Sequence, residues 1–256
     1  MKILFYTNSI NEAILIQQTA KMTTIVPRII EIEGADSSLP VLVVTTSFSE
    51  KSSTASTQVV LDNYLLIPNL NQKYKRIVII ERYPASFKER ATEAFKASEF
   101  PRSEEDPHPE DINYQILALE VIDWLFTLGF DRIHLMGKCA GASLAQFIVQ
   151  ECENGDQILH HEGKTISIER LILCVPGCRT PELLLNHPVP LLCVWQKDDP
   201  QEFTWGHISK DPERYAKIFC RSNDILKTFP GNQHEIPVEV FSRGTEERSG
   251  SGSLDL

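Results

Sequence analysis

From residue 132 to residue 150 the chain reads RIHLMGKCAGASLAQFIVQ: an apolar run, the pentapeptide Gly137-Lys138-Cys139-Ala140-Gly141, then a segment with helical spacing. A cysteine between two glycines, where a strand passes into a helix, is placed for nucleophilic attack. The central residue of such a turn takes a strained backbone that pushes its side chain clear of the sheet. Gly137 and Gly141 leave room where a Cβ would collide with the neighbouring strand and helix. The helix starting at Ala140 turns its positive end toward Cys139, which favours the thiolate, and the Ala140 N–H is positioned to donate to an oxyanion. Taken alone, the pentapeptide also fits a buried, inert cysteine.

Two downstream stretches supply partners for such a nucleophile. VPLLCVWQKDDP puts Asp198 and Asp199 just past an apolar run, and ILKTFPGNQHEIP puts His234 in a loop just past another. Nucleophile, acid and histidine, each following a strand in that chain order, make a Cys-His-Asp triad. His234 takes the Cys139 proton or holds a thiolate–imidazolium pair, and Asp198 or Asp199 fixes the tautomer and orientation of the imidazole.

The elements that must position these groups are legible in the apolar pattern. Short runs rich in Val, Ile and Leu recur between longer segments of helical period, as in an α/β protein with a buried, mostly parallel sheet. Strands are predicted at 28–33, 41–45, 76–80, 132–136, 170–175, 191–195 and 225–229. The turn-like GADSSLP between the first two suggests an opening hairpin. A helix is predicted over 111–128, capped by Asp111, ended by Gly129, and turning Ile112, Ile116, Leu119, Ile122 and Phe126 to the core. A second runs over 140–151 with Leu144, Phe147 and Ile148 inward. Residues 83–110 carry an amphipathic stretch, FKERATEAFKA, and then the acid- and Pro-rich SEFPRSEEDPHPE; this is either a lid, with Phe87, Phe95 and Phe100 as its lining, or a solvated insertion.

From about residue 30 to residue 241 the chain resembles the α/β-hydrolases. VLVVTTSFS resembles their strand and oxyanion loop, RIVIIERYPAS the next strand and turn, RIHLMGKCAGASLAQFIV the nucleophile elbow, LLCVWQKDDP the acid loop and FPGNQHEIP the histidine loop. The resemblance implies an α/β-hydrolase fold with helices on both faces of a mostly parallel sheet and, because only PGCRTPELLLNHPVP links two of the strands, no large cap domain. In that family the acid follows the strand-ending tryptophan by four positions, which selects Asp199 over Asp198. A cysteine at the elbow further resembles the dienelactone hydrolases and the polyhydroxyalkanoate synthases. Three departures stand out. Thr45-Thr46-Ser47 replaces the usual His-Gly, which leaves the Thr46 or Ser47 N–H as second oxyanion donor; Gln196 replaces a glycine in the acid loop; and VEVF runs into a polar tail where the family adds a helix.

Chemistry and composition set the expected function. In a tetrahedral intermediate a thiolate departs more readily than an alkoxide or amine, so activated esters, lactones and thioesters of a small-molecule acyl substrate suit Cys139 better than alkyl esters or amides. An acyl-cysteine passing to an alcohol or thiol makes an acyltransferase the alternative. A non-catalytic α/β-hydrolase-like binding protein is the rival from another class, favoured by the missing His-Gly and opposed by the retained Asp199 and His234. No cofactor and no metal are required: His160, His161 and His187 lack partners at ligand spacing, and Cys174 and Cys178 are separated by three residues and lack a second pair. His134 alternates with apolar neighbours and reads as structural.

The 256 residues suit one domain over 1–241 with a polar, disordered tail over 242–256. A formal net charge of −10 argues against nucleic acid or anionic lipid as partner. No apolar run approaches the roughly 20 residues of a membrane span. The opening MKILFYTNSINEAILIQ is too briefly apolar for a secretory core, and six cysteines without a disulfide or zinc spacing suit reduced thiols, so a cytoplasmic location is expected.

Overall fold

The computed structural model describes residues 25–46, 50–63, 69–84, 109–152, 156–174, 189–196 and 225–229. In chain order these form β1 (Val26–Glu31), β2 (Val41–Thr45), α1 (Glu50–Asn63), α2 (Leu70–Lys73), β3 (Arg76–Arg82), α3 (Pro109–Thr127), β4 (Arg132–Lys138), α4 (Ala140–Gln150), β5 (Ile158–His161), β6 (Lys164–Cys174), β7 (Leu191–Gln196) and β8 (Ile225–Phe229). The described strands join in one sheet of order β1-β3-β2-β4-β6-β7-β8, with β5 beside β6. From β3 to β8 along this order neighbouring strands run parallel, and β1 is antiparallel to β3.

Burial explains the order. Every residue of β2 is buried, as a strand flanked on both edges and covered on both faces requires. The partly exposed β1 lies at the edge, where Pro27 is tolerated beside a register shift. The expected opening hairpin is therefore not formed: β1 pairs with β3, and β2 sits between β3 and β4. Alternate side chains divide between two cores. Val41, Val43, Val78, Ile80, Ile133 and Leu135 pack with α3 and α4 on one face, while Leu42, Val44, Ile77, Ile79 and Met136 pack with Val60 of α1 on the other.

Two further expectations are corrected. Ile116 and Leu119 of α3 are 37% and 47% exposed, whereas Leu117, Ala118, Val121, Ile122, Leu125 and Phe126 are buried, so the core-facing stripe is turned by about one position; the side chain of Ile112 lies outside the described residues. Asp111 falls inside the first turn, because α3 begins at Pro109, a residue suited to that place. The expected stop holds: Gly129 takes a left-handed φ of 68° and donates its N–H to Phe126 O. Residues 158–168 also differ. His160 and His161 lie on β5, which turns through Glu162 and Gly163, both at positive φ, into a β6 that starts six residues before the predicted strand.

Among the described residues no helix is long and apolar enough to cross a membrane. Several expectations lie outside the described residues: the stretch 85–108 with Phe87, Phe95 and Phe100, the linker 175–188 with Cys178 and His187, Cys220, VEVF and the tail.

Candidate active site

Strand β4 ends and α4 begins around Cys139, and the residue between them has φ 54° and ψ −121°. A non-glycine residue at such angles is strained and persists only where its surroundings over-determine it. The surroundings here are backbone. Cys139 N–H donates to Cys174 O at 3.1 Å, extending the β4–β6 ladder to the turn, and Cys139 O accepts from Ala142 and Ser143 N–H at 2.9 and 3.3 Å. The flanking glycines are obligatory. A Cβ on Gly137 would lie 2.5 Å from Ala142 Cα and Gly141 O; a Cβ on Gly141 would strike Thr45 O and stand 2.6 Å from Thr45 C and 2.7 Å from Thr46 O. The helix can therefore seat against the end of β2 only because residue 141 has no side chain.

Thr45, the last residue of β2, and Thr46 after it are fully buried. Thr45 Oγ1 lies 2.7 Å from Gly141 O and 3.1 Å from Met136 O, so its single proton fastens the strand end to the elbow. Thr46 Oγ1 donates to Ile80 O at 2.7 Å, and the Thr46 N–H donates to Tyr83 Oη at 3.0 Å. That N–H, one of the two sequence candidates for the second oxyanion donor, is thus bonded within the fold. Ser47, the other one, lies outside the described residues. Ala140 is partly exposed at the head of α4, and its N–H precedes the first bonds of the helix, which Ala142 and Ser143 make to Cys139 O. Thr45 and Tyr83 were not singled out from sequence; only the departure from His-Gly at Thr45 marked the spot.

Among the described residues Cys139 differs from its fellow thiols in kind. It is partly exposed, whereas Cys152, Cys174 and Cys193 are buried. Burial pushes the Cys152 and Cys174 thiols up to about 12, with Glu151 adding to the first and Lys138 opposing the second, and raises Cys193 well above the usual range. Those three remain protonated and inert at neutral pH.

Asp198, Asp199 and His234 lie outside the described residues, but the strands that lead to them do not. Because β4, β6, β7 and β8 are parallel neighbours, their C-terminal ends share the edge that carries Cys139. Asp199 follows the end of β7 by three residues and His234 follows the end of β8 by five.

His134 is structural, as the sequence suggested. It sits near the start of β4, away from the elbow, with Nδ1 3.0 Å from Tyr74 Oη and Nε2 3.6 Å from a Glu169 carboxylate that Arg132 holds at 2.6 Å. Burial, reinforced by the Arg170 and Arg132 charges and opposed by Glu169, depresses its pKa to about 4. Such a histidine is neutral in the native state, so its contribution is complete above its unfolded value near 6.5 and is lost as pH falls through 4. Relative to a His134→Asn variant, the wild-type unfolding free energy should drop by about 3 kcal/mol between pH 7.5 and pH 4. Urea titrations at the two pH values read it; a pH-independent difference would contradict a neutral, buried imidazole.

An antiparallel edge strand, a parallel sheet and a strained residue on the turn from β4 into α4 define the α/β-hydrolase fold. Among solved structures, the chain is similar to Est1E from Butyrivibrio proteoclasticus, with a TM-score of 0.50 and 13% identity over 84% of this chain and 89% of that one. It is also similar to a predicted CIB-like hydrolase from Thermoplasma acidophilum (TM-score 0.49, 15% identity, 86% and 89% covered). A third likeness is to naproxen esterase from Bacillus subtilis (TM-score 0.47, 12% identity, 83% and 82% covered). No family model matches the chain, and no curated protein does.

Proposed function

We propose that the protein is a hydrolase of activated esters, lactones or thioesters that works through an acyl-cysteine on Cys139. The observation that carries this reading is the backbone of Cys139 at φ 54° and ψ −121°, held between two glycines at the head of an 11-residue helix. A turn that served only packing would have no need of a strained, partly exposed thiol there.

Reach supports the triad. Parallel strands stand roughly 4.8 Å apart, so the end of β8 is about 14 Å from that of β4, and five extended residues span about 16 Å. His234 can thus return to Cys139 and accept its proton, while Asp199, three residues past the end of β7 in sequence, orients the imidazole. Sulfur adds to the acyl carbon, the oxyanion takes hydrogen bonds from the Ala140 N–H and, with Thr46 committed to Tyr83, from the Ser47 N–H, and the leaving group departs with the proton from His234. Water activated by the same imidazole then releases the acid and frees the thiolate. An alcohol or thiol in place of that water makes the same site an acyltransferase.

A limiting amount of iodoacetamide, followed by peptide mass spectrometry, tests the reading. Cys139 is expected to label at least about tenfold faster than Cys152, Cys174 and Cys193, and His234→Ala is expected to slow that labelling at neutral pH. Labelling of Cys139 as slow as that of the buried thiols, with no response to His234→Ala, would overturn catalysis and favour a binding protein on the same fold.

A further inference from the structure

Along α4, residues Ser143 and Gln146 fall on one row with the elbow. At about 100° per residue they point 160° and 140° away from Gly141, the position seated against β2, so both face away from the sheet. Both are nevertheless 1% exposed. Their polar atoms are unsatisfied: among the described residues Ser143 Oγ, Gln146 Nε2 and Gln146 Oε1 have no hydrogen-bond partner. Buried polar side chains are seldom left so, and here three such atoms occur within one turn of a helix whose other buried side chains are apolar. Side chains on a helix lean toward its N-terminus, so the Gln146 amide lies over the turn of Ser143, in the direction of Cys139.

We propose that Ser143 and Gln146 form the acyl-recognition subsite of Cys139 and bind an amide group carried on the acyl chain. The proposal rests on the hydrolase reading above for its substrate and on the unpartnered atoms for its chemistry. A primary carboxamide presents one N–H on the same side as its C=O, the arrangement that complements Gln146 Oε1 and Nε2, and its oxygen also accepts from the Ser143 hydroxyl. Neither residue carries a charge, and an ionic group brought into this buried row would lack a counter-charge from them. Ser143 stands four residues and Gln146 seven residues beyond the nucleophile, about 6 and 10 Å along the axis. With the backward lean of the glutamine, the amide belongs about four to six bonds from the reacting carbonyl.

A matched pair of reagents tests this without requiring turnover. The chloromethyl ketones built on 4-carbamoylbutanoyl, which ends in a primary amide, and on hexanoyl have chains of the same length and differ in the amide. Each alkylates the Cys139 sulfur with loss of chloride, read by peptide mass spectrometry and normalised to its rate with glutathione. The amide reagent is expected to label at least about tenfold faster, Gln146→Leu should bring the ratio to that of glutathione, and Ser143→Ala should lower it partway. If Gln146→Leu does not fold, Gln146→Met gives the same reading. Equal rates in the wild type, or a preference unmoved by these variants, would overturn the proposal and leave the two side chains to hydration or packing. The corresponding p-nitrothiophenyl thioesters keep the two readings apart. Labelling preference without thioester turnover sustains the subsite and defeats the hydrolase, and turnover without preference does the reverse.

Discussion

Replacing Cys139 by alanine is expected to lower kcat/KM for a p-nitrothiophenyl thioester by about 10⁴-fold or more, with the thermal midpoint nearly unchanged. The size of the loss follows from covalent catalysis: without sulfur no acyl-enzyme forms, and only binding and the oxyanion donors remain. The stability should hold because Cys139 is partly exposed and the bonds of its N–H to Cys174 O and of its C=O to Ala142 and Ser143 are made by backbone that alanine keeps. His234→Ala should cost a comparable factor, and the double variant little more than either single one, since the two act as a unit. Asp199→Asn against Asp198→Asn then decides which carboxylate orients the imidazole. A Cys139→Ala protein that retains most of its thioesterase activity would end the nucleophile assignment.

The second large effect falls on folding. Gly141→Ala is expected to destabilise the protein by about 3 kcal/mol or more, because the new methyl group meets the backbone of Thr45 and Thr46, which cannot rotate away as a side chain would. For a domain of this length the thermal midpoint should fall by about 10 °C. Gly163→Ala is the control. Its φ of 78° imposes some strain, but nothing lies within 4 Å of the added Cβ, so about 1 kcal/mol is expected there. Calorimetry on the three proteins checks the ranking, and equal losses at the two glycines would show that α4 does not depend on close seating against β2.

The parts of the fold that were legible in sequence are those with one physical cause. The strand pattern of VLVVT and RIVII follows from burial on both faces, and the Gly-x-Cys-x-Gly turn follows from the space its neighbours leave. The misreadings arise where two causes compete. GADSSLP has the composition of a hairpin turn, yet the strands it joins are separated by β3, whose apolar Ile77–Ile80 run lies between them. In α3, apolar residues occupy so many positions from Ile116 to Leu128 that two overlapping stripes fit the helical period; packing against α4, not periodicity, chose Leu117, Val121 and Leu125. The short His160-His161 strand has no apolar alternation and exists because β6 offers it an edge. At the site, sequence could name Thr46 as a donor candidate but could not show that Tyr83, 37 residues away, accepts its N–H.

The bond from Cys139 N–H to Cys174 O has a kinetic meaning as well as a geometric one. The amide of the strained residue is the last rung of a ladder between two core strands, in a region where Leu173, Cys174 and Leu144 are wholly buried. Such a rung does not fray locally; it opens with the sheet. Deuterium should therefore enter at the Cys139 amide about as slowly as at the centre of β4, and the alignment of the nucleophile should survive heating until the whole cooperative unit melts.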